Sequence, residues 1–250
     1  MWRALKKLYP SRSKAKKFPI SVSVLKAIFP LLKGWPVSVA LSHNDRLFVT
    51  ASLIGVFGFL QGGEFLHSKR SSRPVLRGRD ITSVVIGDVS FLEVRIIQSK
   101  ARWWIADEIA RCFHCPDQLL NPVVWYDSYK ALSIPLLKST FPAFRLEDGR
   151  TLSRDWMVQH TSALLAKAGI IPLDKLGNKV SVLSSSWRAG GVKSAKDSGA
   201  HDTTIMSLGR WSSTAWEFYD FTSLNDLFKA SEAMHSNAEP LQLGRSLVGL

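Results

Sequence analysis

The chain has 250 residues, and 46% of them are hydrophobic, which is enough for a real core and too many for a wholly disordered protein. The formal net charge of +13 at pH 7 predicts a polyanionic partner, either nucleic acid or an anionic membrane surface. The alternative is a basic protein with a solvated surface and no such partner.

The N-terminal region is basic and contains no apolar run that would indicate a signal peptide, because lysines interrupt it from Lys6 to Lys17. Residues 1–19 are short of acidic side chains and could form a flexible arm on DNA or an unpacked terminus. Between Pro19 and Pro36 the apolar residues recur at helical spacing, which predicts a first helix.

The longest apolar stretch, Leu47 to Leu60, is shorter than the ~20 residues that a membrane-spanning helix needs. We interpret it as a buried helix with its N-cap at Asn44-Asp45. No long basic amphipathic helix is present, so a membrane-surface role is the weakest alternative and no membrane partner is expected.

A β-hairpin is predicted in the middle of the chain. Ile81 to Ile86 and Phe91 to Ile97 are rich in β-branched residues and are joined by Gly87-Asp88-Val89-Ser90. Arg102 to Ile105 is predicted as a third strand.

The second half is predicted to be mainly helical. Glu147 to Arg150 indicates a turn, and Ser153 is a candidate N-cap for a helix to about Ala168, closed by Gly169. Further helices are predicted over about Trp187 to Ser198 (with Gly199 past its end), over about Thr203 to Leu208, and from near Ser213.

Cys112, His114 and Cys115 form a short cluster, but a structural zinc site usually needs four ligands, and no second Cys/His pair with suitable spacing follows. We interpret the cluster as incidental and expect no metal or other cofactor. Two cysteines give no disulfide framework, so a reducing compartment is expected.

The segment that suggests a chemistry runs from Ser184 through Ser-Ser-Trp-Arg-Ala-Gly-Gly-Val-Lys-Ser to Ala195, and it is followed by Leu208-Gly-Arg-Trp-Ser-Ser-Thr-Ala-Trp-Glu-Phe-Tyr219. It resembles the C-terminal motif of the tyrosine recombinases, the phage-integrase superfamily, and most of all the catalytic domains of DIRS-type and Crypton mobile elements. The resemblance implies a mainly helical α+β catalytic domain with a small antiparallel β-sheet, which acts in DNA recombination and integration.

Other segments resemble the family's motifs in the family's order, over roughly residues 18–225. Gly58 to Glu64 is similar to the box that holds the first arginine, and Ile97 to Lys100 to the strand that carries a lysine. Cys115-Pro116 and Leu146 to Arg154 are similar to its connecting segments.

The resemblance implies a role for each matching residue. Tyr219 matches the nucleophile that forms a 3′-phosphotyrosyl link, although an unperturbed tyrosine pKa of about 10 makes it depend on cationic neighbours. Arg188 matches the second arginine, Lys100 the lysine that protonates the departing 5′ oxygen, and Trp211 the later His/Trp donor. In each case an ordinary core aromatic or surface cation is the alternative.

Two positions depart from the family's pattern. Gln61 stands where the family has its first arginine, and Ser185 where it has the histidine before Arg188. Both retain hydrogen bonding but lose positive charge, and losing one preorganised donor typically costs a factor of ~10²–10³ in rate. We therefore expect weak or absent catalysis by a site in which Gln61, Ser185, Arg188, Lys100 and Trp211 surround one phosphate.

Three functions remain open: a strand-exchange enzyme of mobile-element origin, a non-catalytic DNA-binding remnant, and a helix-turn-helix regulator. Each has DNA as its partner, with self-association on DNA as a further expectation and a nuclear location in a eukaryotic host (otherwise cytoplasmic). The predicted organisation is a basic arm and clamp remnant over 1–36, a catalytic domain over 37–228 and a loosely structured tail over 229–250. The cations expected to contact DNA are Lys69, Arg70, Arg73, Arg77, Arg79, Lys193 and Arg210.

Overall fold

A computed structural model describes residues 17–68, 75–97, 108–133, 140–173, 177–211 and 224–236. Within these ranges the chain forms eight α-helices and a three-stranded antiparallel sheet, which confirms the predicted α+β class with a small sheet. Short 3₁₀ turns also occur at Phe29–Leu31, Ser38–Ala40, Gly78–Asp80 and Gln118–Leu120.

Three helices precede the sheet: α1 (Val22–Ile28), α2 (His43–Phe57) and the single turn α3 (Gly62–Phe65). The N-cap of α2 is Ser42, so the prediction of Asn44-Asp45 is wrong by two residues. The Ser42 hydroxyl accepts the N–H of Asp45 at 3.1 Å and donates to its carboxylate at 2.7 Å. Asp45 therefore lies in the first turn and is hydrogen-bonded to the capping hydroxyl, but the cap itself is Ser42.

The sheet has the order β1 (Ile81–Ile86), β2 (Val89–Ile96) and β3 (Glu108–Phe113). The predicted hairpin is confirmed, with Gly87 at φ +57° in a two-residue turn, a conformation that glycine adopts without strain. The third strand in the described residues is β3, which was not predicted, and the predicted strand over Arg102 to Ile105 lies outside the described residues. The polar positions of β3, Glu108 and Arg111, interrupt the apolar pattern by which a strand is recognised.

Five helices follow the sheet: α4 (Pro122–Leu132), α5 (Arg154–Lys167), α6 (Ser186–Asp197), α7 (Asp202–Leu208) and α8 (Leu224–Ser236). Ser153 caps α5 as predicted, and Gly169 follows at φ +69°. The predicted bounds of α6 and α7 agree with the structure to within one residue. The predicted helix start near Ser213 lies outside the described residues.

Helix α2 forms the centre of the core, since every residue from Arg46 to Phe57 is buried. Helix α6 passes very close to it and to the segment before α1. A Cβ on Gly190 would overlap the carbonyl oxygen of Ile20, and one on Gly191 would overlap that of Val56. These two glycines therefore allow α6, which carries Arg188, to approach the core backbone directly.

The predicted boundaries near both ends do not divide the structure. Phe18, Ile20 and Leu25 belong to the same hydrophobic cluster as the rest of the core, so this part of the predicted clamp remnant is integral to the domain. Helix α8 continues to Ser236 and buries Met234, so the loosely structured tail expected from residue 229 is helical that far. In the described ranges no helix has both the length and the apolar character needed to cross a membrane.

Candidate functional site

Glu64 lies at the centre of a cluster of charged side chains. Its side chain is only 3% exposed, because α3 turns it into the domain directly after an apolar run. Gln61, the N-cap of α3, donates its backbone N–H to Glu64 Oε2 at 2.7 Å. A carboxylate buried in this way needs cationic or N–H partners, since an unpaired buried charge is costly.

Arg210 is the first cationic partner of Glu64. Its Nη2 donates to Glu64 Oε2 at 3.0 Å, its Nη1 donates to the carbonyl of Gly58 at 2.8 Å, and its Nε lies 3.6 Å from Glu108 Oε2. The Arg210 side chain is 8% exposed. The sequence predicts Arg210 as a DNA contact, but the structure buries its guanidinium group as a link between α3, β3 and the segment after α7.

Arg188 is the second cationic partner and lies in the first turn of α6. Its Nη1 is 3.9 Å from Glu64 Oε1, and its Nη2 donates to the carbonyl of Gly209. Its Cζ lies 4.9 Å from the centroid of a ring of Trp211, a cation–π distance. Burial lowers the pKa of Arg188, while the charge of Glu64 opposes that shift.

The charges of this cluster cancel formally, because two guanidinium groups face the two carboxylates of Glu64 and Glu108. The side chain of Arg188 is 12% exposed, and its buried Nε has no hydrogen-bond partner among the described residues. Arg188 therefore has one donor group left over but is otherwise engaged inside the protein. An incoming phosphate would compete with Glu64 and with the Gly209 carbonyl for the guanidinium group.

Four of the six predicted catalytic residues come together here. A Cβ on Gly62 would overlap Ser184, so the Gln61 turn lies against the start of α6, where Ser185 is the N-cap. Arg188 follows one turn later and packs on Trp211. The other two predicted catalytic residues, Lys100 and Tyr219, lie outside the described residues.

The remaining cations predicted to contact DNA differ in their surroundings. Arg79 is exposed, and Arg77 lies partly buried beside it at the turn before β1. Lys193 forms an ion pair with Asp197 on α6, at 2.8 Å. Lys69, Arg70 and Arg73 lie outside the described residues.

Three further residues of the site, Glu64, Glu108 and Arg154, are not among those predicted from the sequence. Arg154 begins α5, and its Nη2 lies 2.6 Å from where a Cβ on Gly63 would be, so its guanidinium group covers the Gln61–Glu64 turn. Glu64 follows an apolar run and a Gly-Gly pair, but this position gives no signal of its burial, which depends on the arginines that the fold brings to it. Glu108 and Arg154 gave no local signal.

The cysteine cluster is divided by the fold. Cys112 is buried on β3, and burial raises its pKa to about 12. The sulfur of Cys115 lies 2.9 Å from Nδ1 of His235, which stacks on Phe57 with ring centroids 4.1 Å apart. Burial raises the pKa of Cys115 and lowers that of His235 to about 3, so the pair is neutral at pH 7 and fastens α8 to the core. In the described part of the chain no group of three or more potential ligands is placed to hold a metal ion.

Comparisons with known proteins do not add a family. No family model matches the chain, and no curated protein matches it either.

Proposed function

We propose that this chain is a DNA-binding protein of tyrosine-recombinase type, and that its DNA-breaking activity is weak or absent. The observation that carries the proposal is the convergence of Gln61, Ser185, Arg188 and Trp211 around one turn. These residues come from three segments of the chain, and the resemblance implies, independently of the structure, that all four surround a single phosphate. Chance similarity of isolated motifs gives no reason for such convergence.

In this proposal the phosphate of one DNA strand lies at the exposed edge of Arg188. The guanidinium group holds a non-bridging oxygen with the N–H groups of its edge, and Trp211 contacts the same group through the cation–π interaction. Tyr219, after losing its phenolic proton to solvent, attacks the phosphorus as the phenolate and forms the 3′-phosphotyrosyl bond, and the released 5′ oxygen takes a proton from Lys100. The roles of Tyr219 and Lys100 rest on the resemblance alone.

Catalysis is weak in this proposal because positive charge is missing at the phosphate. Gln61 and Ser185 are neutral where the family has cationic groups, and Glu64 neutralises part of the charge of Arg188. Charge that develops on the non-bridging oxygens is then met by fewer fixed cations. The phenolate of Tyr219 is also less accessible when the positive potential near it is lower.

A second candidate function is a non-catalytic DNA-binding module. The donation from Arg188 to the Gly209 carbonyl, together with its contact to Glu64, favours this candidate because the guanidinium group already has internal partners. Both candidates predict DNA binding, and only the enzyme predicts a covalent intermediate.

A trapping experiment separates the two candidates. The unaltered chain, a Tyr219→Phe control and the double variant Gln61→Arg/Ser185→His are incubated with a nicked suicide duplex, and covalent protein–DNA adducts are measured by denaturing electrophoresis. We expect few or no adducts from the unaltered chain and more from the double variant. Strong adduct formation by the unaltered chain would show that the proposed loss of activity is wrong. A double variant no better than Tyr219→Phe would favour the non-catalytic module.

DNA binding itself is tested by a salt titration. We expect little sequence preference and a steep dependence of log K on log salt, with about −0.9 from each phosphate contact to B-DNA. A slope near zero would refute DNA binding and both candidates with it.

A further inference from the structure

Arg154 differs from the other two arginines near the Gln61 turn. Arg188 and Arg210 both contact Glu64, and each donates to a backbone carbonyl. All three have a buried Nε without a hydrogen-bond partner, but only the side chain of Arg154 has no hydrogen bond or ion pair at all with any described residue. It is therefore a cation whose charge no neighbouring group in the described structure neutralises.

The position of Arg154 has no evident structural benefit. It is the first residue of α5, where the helix dipole disfavours a cation. Its guanidinium group lies over Gly63, and Nη2 is 2.6 Å from where a side chain at that residue would begin. The absence of a side chain at Gly63 is what leaves room for Arg154 beside the turn.

The turn that Arg154 covers is the one in which Gln61 stands at the position of the family's first arginine. Gln61 begins this turn and occupies the place where the resemblance expects an arginine. Glu64 lies three residues later in the same turn, and its buried carboxylate contacts Arg188. Arg154 and Arg188 thus contact neighbouring residues of one turn, although they come from different helices.

We propose that Arg154 binds a backbone phosphate of duplex DNA beside this turn, at a contact separate from the phosphate at Arg188. The inference rests on the proposed function, since it requires the Gln61 turn to face DNA. A guanidinium group with free donors suits this role because it can present two parallel N–H groups to the oxygens of one phosphate.

The test measures binding of the full chain to a fluorescent mixed-sequence duplex by anisotropy, over a range of salt concentrations. Arg154→Gln is compared with Lys167→Gln, which removes an exposed cation from the other end of the same 14-residue helix, about 20 Å away. We expect Arg154→Gln to weaken binding about tenfold at low salt. We also expect it to reduce the magnitude of the salt slope by about 0.9, while Lys167→Gln leaves the slope unchanged.

Two further variants separate binding from folding. Arg154→Lys keeps the charge but not the planar pair of donors, so it should retain the salt slope and lose part of the affinity. In Gly63→Ala the new Cβ meets only the movable end of the Arg154 side chain, so it should displace the guanidinium group and reduce binding while leaving the thermal midpoint close to that of the unaltered chain.

The outcomes distinguish this inference from the proposed function. If the unaltered chain shows no salt-dependent binding, the proposed function fails and the inference fails with it. If the unaltered chain binds but Arg154→Gln has the same slope and affinity, the inference alone is overturned. Equal losses in Arg154→Gln and Lys167→Gln would also overturn it, because the effect would then be general charge removal.

Discussion

Replacing Glu64 by Gln tests the charge cluster most directly, because the substitution keeps the shape of the side chain and removes its charge. We expect the free energy of unfolding to fall by about 3 kcal/mol. The carboxylate is 3% exposed and accepts from Arg210 Nη2 at 3.0 Å, so the substitution leaves a buried guanidinium group short of its counter-charge. Removing one partner of a buried ion pair typically costs about 3–5 kcal/mol. We expect the lower end because Arg210 keeps Glu108, 3.6 Å from its Nε, and the Gly58 carbonyl.

The matched control is Glu93→Gln, which removes a carboxylate from a partly exposed pair. Glu93 lies opposite Arg111 in the sheet, with 3.3 Å between Oε1 and Nη2 and side chains 31% and 35% exposed. Solvent screens such a pair, so we expect a loss below about 1 kcal/mol. Urea denaturation followed by tryptophan fluorescence at pH 7 measures both variants. If they lose stability equally, Glu64 does not hold the cluster together and our reasoning about the site is wrong.

Three further predictions concern the scaffold. Gly190→Ala should lower the free energy of unfolding by about 2 kcal/mol or more, because the new Cβ would overlap the Ile20 carbonyl, and a urea midpoint like that of the unaltered chain would contradict this close packing. Ser153→Ala should cost about 1 kcal/mol, since it removes the hydroxyl that accepts the N–H of Trp156 at 3.1 Å; unchanged stability by the same measurement would mean that water replaces the cap. Burial lowers the pKa of His235 from 6.5 to about 3, so the unfolded chain takes up this proton first and stability falls as the pH drops from about 6.5 toward 3, by up to about 1.4 kcal/mol per pH unit. Urea midpoints at pH 7 and pH 5 should therefore differ more for the unaltered chain than for His235→Gln, and equal differences would refute the assignment to His235.

The sequence by itself determined the features that nearby residues control. Gly87 in the hairpin turn, Ser153 before α5 and Gly169 after it were all assigned to their observed roles. In each case the signal is local, because a positive φ favours glycine and a hydroxyl at a helix start accepts an N–H of the first turn. The proximity of Gln61, Ser185, Arg188 and Trp211 was expected from the resemblance and not from local rules, while Lys100, expected in the same basic concavity, lies outside the described residues.

Only the tertiary structure decided which charges are buried and what pairs with them. Arg210 lies just after a short helix, where the sequence predicts an exposed cation. Its burial depends on Glu64 and Glu108, which are 146 and 102 residues earlier in the chain. Strand β3 was not predicted for the same reason: its polar residues Glu108 and Arg111 pair with Arg210 and Glu93, which lie on other elements. A charged side chain carries no local signal of its burial, since the free energy that permits the burial comes from partners that the fold brings to it.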